Sequence, residues 1–139
     1  MRGFTLLELA AATLLVTVLA LVTGAAHRAT AGATIALRDR ARAVTEVRAA
    51  VEWLRQDLGG ARGVHRHASE TLSIAGVGGA SVLYRRDGRR LLREGIAVAL
   101  EIAAFEITAL PGGGTRIGLA AGSGDSRCEM TLLWGSDAP

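Results

Sequence analysis

Lysine is absent from this chain of 139 residues, so all sixteen basic residues are arginine. Aromatic residues make up only 4%, and there are two prolines and one cysteine, Cys128. Each shortage excludes something. A single cysteine leaves no internal disulfide framework and no multi-cysteine zinc or iron–sulfur site. Three histidines are little material for a metal centre, and none is expected. With so few aromatics, any core must be built from Ala, Val, Leu and Ile. What is present is apolar: half of the residues are hydrophobic, 21% are charged and the mean hydropathy is +0.31. That composition is too apolar for a disordered chain, and the length suits one domain. The formal net charge is only +3, so a pI of about 10.4 overstates how basic the surface is.

The apolar residues are concentrated near the start. Leu9 to Ala26 is an uncharged run, and counting from Phe4 adds one charge, Glu8. At 1.5 Å per residue the stretch 4–26 spans roughly 35 Å as a helix, enough for the hydrocarbon of a bilayer. It reads as a transmembrane helix in contact with lipid. A secretory signal peptide is the rival reading, with Arg2 as its basic start, but the run is long for a signal core. Glu8 is the anomaly, because an ionised carboxylate inside a membrane helix costs roughly 2.5–3.5 kcal/mol on insertion scales. The alternative is a Glu8 solvated at headgroup level.

Residues 3–8 spell GFTLLE. This resembles the processing site of type IV pilin-like proteins, among them the pseudopilins of type II secretion. The resemblance implies a leader of residues 1–3, cut by prepilin peptidase between Gly3 and Phe4, and N-methylation of Phe4. The leader is shorter than the family's usual basic one. It also implies that Glu8 pairs with the N-terminal amine of an adjacent subunit, and that the chain is held in the bacterial inner membrane with its C-terminal domain in the periplasm. The expected partners are then other pseudopilins or pilins in a hetero-oligomeric fibre and the inner-membrane assembly platform. The residues fit such chemistry. Gly3 has no Cβ to obstruct a protease. Cleavage would create a cation four residues from Glu8, on the same helical face. In a low dielectric each of those charges needs a partner.

Beyond the membrane the helix is expected to continue over residues 27–58. Leu37, Val44, Val47, Val51, Leu54 and Leu58 form an apolar stripe of helical period among charged residues. Gly59 and Gly60, residues that accept left-handed geometry, are expected to end the helix. Trp53 beside the stripe reads as core packing. Residues 59–139 then change to short β-like runs: 71–75, 81–86, 89–94, 100–108, 116–120 and 127–134, with Asp87-Gly88 as a two-residue hairpin turn and 111–114 as another turn. The expected fold class is α+β: a long N-terminal helix, transmembrane then amphipathic, packed on one small antiparallel β-sheet of about five strands. This tail is similar to the minor pseudopilin J group over residues 44–108, through VEWLRQDLGGARGV, RRLLRE and LEIAAFEI. Minor pilins of pilus and competence systems share these features.

The hairpin tip collects Arg85, Arg86, Arg89 and Arg90, a candidate partner surface. With Asp87-Gly88 as the turn, Arg86 would face Arg89 and Arg85 would face Arg90. Residues 62–93 carry seven arginines against Glu70 and Asp87, whereas 94–139 carry two against six acids. Such a split suits head-to-tail docking of subunits. There is no aromatic interleaving and no nucleic-acid motif, so no nucleic-acid partner is expected. His65-Arg66-His67 lacks a third metal ligand and reads as a loop. Gly122–Ser126 lacks the lysine and spacing of a phosphate loop and reads as a hairpin turn. Cys128 reads as a buried, inert strand residue. No nucleophile–base pair or carboxylate pair stands out, so no catalytic residue and no cofactor is expected. The expectation is a minor pseudopilin. The alternatives are a minor type IV pilin for adhesion or DNA uptake, and a signal-anchored periplasmic binding domain.

Overall fold

The computed structural model describes residues 5–135 of the chain. Its first element is helix α1, Leu6–Gly59, 54 residues long. The chain divides into two compact units, Met1–Leu37 and Arg38–Pro139, and α1 contributes to both.

In the first unit the helix is long and apolar enough to cross a membrane. Its leucines and valines stand uncovered, from Leu6 and Leu7 through Leu14, Leu15 and Leu19 to Val22. Its threonines do not leave polar groups unmet. The Thr13 hydroxyl donates to the Leu9 and Ala10 carbonyls, Thr17 to Thr13 and Thr23 to Leu19. A hydroxyl satisfied within its own helix is compatible with hydrocarbon, where no water would serve it.

In the second unit α1 buries Ala43, Val47, Ala50, Val51 and Leu54. The buried face is thus rotated from the expected stripe. Leu37 is 69% exposed and Val44 41%, while the two alanines take their place. Small residues allow the strands to approach the helix closely, which a count of large aliphatics misses. The helix ends at Gly59, with neither Gly59 nor Gly60 at positive φ, and a strand begins at Ala61.

Eight strands follow: β1 (Ala61–Ala68), β2 (Thr71–Gly76), β3 (Ser81–Asp87), β4 (Arg90–Arg93), β5 (Ile96–Ala99), β6 (Ile102–Ala109), β7 (Thr115–Ala121) and β8 (Cys128–Trp134). They make two antiparallel sheets rather than one, β1-β2-β3-β4-β5 and β6-β7-β8, each in sequence order. The chain is α+β, a long N-terminal helix packed against antiparallel sheets. Tyr84, Phe105, Leu54, Leu72, Ile74 and Leu91 are the largest wholly buried side chains. Two aromatics therefore anchor a core that is otherwise aliphatic.

The crossover between the sheets is pinned by side-chain and backbone hydrogen bonds. Glu46 of α1 accepts a 2.5 Å hydrogen bond from the Leu100 amide, and Ile102 donates its amide to the Arg89 carbonyl at 2.8 Å. Glu101 sits there with φ of 61°, a conformation that costs an L residue roughly 1–2 kcal/mol. Its carboxylate pairs with Arg89 at 2.6 Å.

Candidate assembly site

Helix α1 opens with Thr5 and Glu8 three residues apart. The Thr5 amide and the Thr5 hydroxyl each donate to Glu8 Oε2 at 2.9 Å, and the Glu8 amide reaches back to Thr5 Oγ1 at 3.4 Å. This is a capping box, in which a threonine and a glutamate satisfy each other's end of the helix. The pattern Thr-x-x-Glu was the sequence signal for it. The carboxylate is thereby held against the helix N-terminus, where the helix dipole favours negative charge. Among the described residues no donor reaches Oε1. Gly3 and Phe4, the expected cleavage site, lie outside the described residues.

The hairpin arginines are arranged differently from expectation. The turn is Gly88-Arg89, because Asp87 faces Arg90 and Arg86 faces Leu91. Gly88 has φ of 58° at the first central position, as a type II′ turn requires. The turn lies one residue further along than expected, so each residue of β3 is paired two positions later on β4, Arg86 with Leu91 in place of Arg89, and the faces of the strands are unchanged. Arg86 is two residues from the buried Tyr84 and shares its inward face. It pairs with Glu70, donates to the Gly88 carbonyl at 2.9 Å and to the Ala103 carbonyl at 3.2 Å. On the outer face Asp87 and Arg90 form an opposite-charge pair instead of two like-charge pairs. Arg86 and Arg89 are both engaged by carboxylates, whereas among the described residues Arg85 and Arg90 have no carboxylate within 4.0 Å.

His65, Arg66 and His67 lie on β1, not in a loop. Strand β1 pairs with β2 through two register shifts, which is why its pattern is irregular in sequence. The two imidazoles diverge. His67 Nε2 meets Ser73 Oγ at 2.9 Å, whereas the His65 ring folds back over Gly63. Among the described residues no group of three His, Cys, Asp or Glu side chains comes together. Gly122–Ser126 forms a turn with a short 3-10 segment at Gly124–Ser126. Cys128 is half-buried at the start of β8 rather than buried.

One cluster had no sequence signal. Asp57, in the last turn of α1, accepts hydrogen bonds from Arg93 Nε at 2.8 Å, from Arg93 Nη2 at 2.9 Å and from the Tyr84 hydroxyl at 2.5 Å. The Arg93 guanidinium lies 5.1 Å from the Trp53 ring centroid, in cation–π range. Trp53 is therefore 40% exposed and serves as a lid on the arginine, not as core. Arg93 holds the Asp57 carboxyl below its usual range despite partial burial, with help from Tyr84. Burial first, and the Asp57 carboxylate second, push the Tyr84 phenol upward. The cluster locks the end of α1 to β3 and β4.

No known protein family, curated protein or solved structure matches the chain. The architecture, a long apolar N-terminal helix followed by antiparallel sheet, is pilin-like. A helix of this kind is a membrane anchor or a signal sequence.

Proposed function

We propose that the chain is a minor pseudopilin, a structural subunit of a type II secretion pseudopilus. Prepilin peptidase cuts it after Gly3, Phe4 is methylated, and the processed subunit leaves the inner membrane through the assembly platform to join other pseudopilins in a periplasmic fibre. It binds and assembles, and it catalyses nothing. The observation that carries this reading is GFTLLE set directly ahead of the apolar part of α1.

The capping box sharpens the proposed role of Glu8. Oε2 is occupied by Thr5 of the same chain. Oε1 is then the atom offered to the amine of a neighbouring subunit, a pairing favoured in a low dielectric. Two roles of Glu8 can be separated. Glutamine at this position keeps a capping box but carries no charge. Glu8→Gln is therefore expected to leave the helix start intact, by amide exchange of residues 5–9, and to reduce incorporation into fibres as strongly as Glu8→Ala, roughly tenfold or more. Wild-type incorporation of Glu8→Gln would remove the ion pair from the account.

Intact-mass measurement of the mature chain tests processing. The expected result is loss of Met1–Gly3 and gain of one methyl group; an uncut N-terminus would reduce the protein to a signal-anchored domain. Steeply salt-dependent DNA binding by the full chain would favour a minor pilin of an uptake system instead.

A further inference from the structure

Four strands end the two sheets, and three of them are visibly closed to further pairing. Strand β1 is shifted in register twice and carries Arg62, His65, Arg66 and His67. Strand β5 has four residues and follows a register shift against β4. Strand β6 has two of its outer carbonyls occupied, Ile107 by Arg66 Nη1 and Ala103 by Arg86 Nη1, both at 3.2 Å. Bulges, charge, shortness and covering are the devices by which proteins block sheet edges.

Strand β8 is the least protected of the four edges. Its seven residues pair with β7 without a register shift, and they include one charge, Glu129, and no proline. Among the described residues no side chain hydrogen-bonds to its backbone on the outer side. Leu132 is buried, but Cys128, Met130 and Trp134, on the same face, are only half-covered, and Leu133 on the other face is 71% exposed.

We propose that β8 pairs with β8 of a second copy of this chain, antiparallel about Thr131, joining two three-stranded sheets into one. The sequence of β8 is complementary to itself in this register. On the inner face Cys128 meets Trp134 of the other copy, and Met130 meets Leu132, so all four positions that are half or wholly buried become covered by apolar side chains. On the outer face Thr131 meets Thr131, a favourable cross-strand pair. Gly118 lies next to Thr131 on β7 and leaves room for both hydroxyls.

Charge complementarity selects a second copy. Arg116 is exposed and has no carboxylate partner among the described residues. It lies beside Leu133 on the neighbouring strand. In the proposed register Leu133 faces Glu129 of the other copy. Strands are about 4.8 Å apart, so Arg116 and that Glu129 stand about 10 Å apart at the backbone, within the joint reach of their side chains. The dyad generates this pair twice. Glu129 is already ordered on the surface by Arg127 at 2.5 Å and can accept from both arginines. The pairing needs neither processing at Gly3 nor fibre formation, so it stands or falls separately from the proposed function.

The test uses the full chain in detergent micelles. Sedimentation over a range of protein concentrations is expected to show a monomer–dimer equilibrium. Thr131→Arg, which sets two like charges on the dyad, is expected to weaken it roughly tenfold or more. Unchanged dimerisation of Thr131→Arg, or a monomer at every concentration, overturns the proposal. Disulfide trapping reads the register in a protein that keeps its fold. In a Cys128→Ser background, Thr131→Cys is expected to form a covalent dimer on mild oxidation, because the two thiols lie directly opposite. Glu129→Cys in the same background is expected not to, since its two copies would be roughly 14 Å apart along the strands. Equal trapping at both positions, or none at Thr131, also overturns it.

Discussion

Asp57→Ala is expected to cost about 3 kcal/mol of stability, because it withdraws the shared acceptor of two buried or half-buried donors. The Tyr84 side chain is wholly buried, and its hydroxyl has Asp57 as its hydrogen-bond partner. Arg93 would keep its contact with Trp53 but lose both bonds to the carboxylate. Denaturant unfolding in detergent, followed by tryptophan fluorescence, measures the loss, and Trp53 reports on the cluster directly. A cost below about 1 kcal/mol would mean that the cluster is as weak as a surface ion pair.

The same cluster predicts the shape of the pH profile. The folded-state pKa of Asp57 lies below its ordinary value of 3.8, chiefly through the Arg93 hydrogen bonds. Its stabilisation is therefore present above pH 3.8 and is lost as pH falls through the lower folded value. Tyr84 moves the other way. Burial, then the neighbouring carboxylate, raise its phenol above the ordinary 10.0. Above pH 10 the unfolded chain ionises at Tyr84 while the folded chain holds the proton, so stability falls as pH rises towards the folded value. Asp57→Asn is expected to flatten the acid arm of the profile, and Tyr84→Phe the alkaline arm. Arms unchanged by these substitutions would assign the pH dependence to other groups.

Gly122→Ala is expected to cost a similar amount, about 3 kcal/mol, by a different cause. Gly122 has φ of 80°, which disfavours any residue with a Cβ. A Cβ there would also stand 2.5 Å from the Ser126 carbonyl oxygen and 3.0 Å from the Ala43 Cβ. One obstacle is backbone of the β7–β8 turn, and the other is a buried residue of α1, so neither can yield by a rotamer change. Gly124→Ala is the control. Its φ is 52°, but a Cβ there meets open space, so only the backbone cost of roughly 1 kcal/mol applies. The difference between the two variants, read as a shift of the unfolding midpoint, isolates the steric part. Equal costs would show that the turn opens to admit the methyl group.

Much of this protein was legible in its sequence because the relevant signals are local. An uncharged run from Leu9 to Ala26 makes a membrane-length helix whatever follows it. A 3.6-residue period over residues 44–58 and short alternating runs after residue 70 announce a helix followed by antiparallel strands. The capping box of Thr5 and Glu8 was legible in principle, since both residues belong to one helical turn.

The remainder was decided by contacts distant in sequence. Which face of α1 is buried depends on strands that come close enough to exploit Ala43 and Ala50. The strand β1 reads as polar loop, because bulges break its alternation and charge and imidazole face solvent. The hairpin turn moved by one residue to Gly88-Arg89, and Arg86, on the inner face, finds Glu70 and the Ala103 carbonyl. Asp57 meets Tyr84 across 27 positions and Arg93 across 36. Periodicity records which element a segment becomes, since that follows from backbone geometry repeated within the segment. Register, the buried face and ionic partners are settled only when separate segments compete for the same space and the same hydrogen bonds, and no local pattern carries that information.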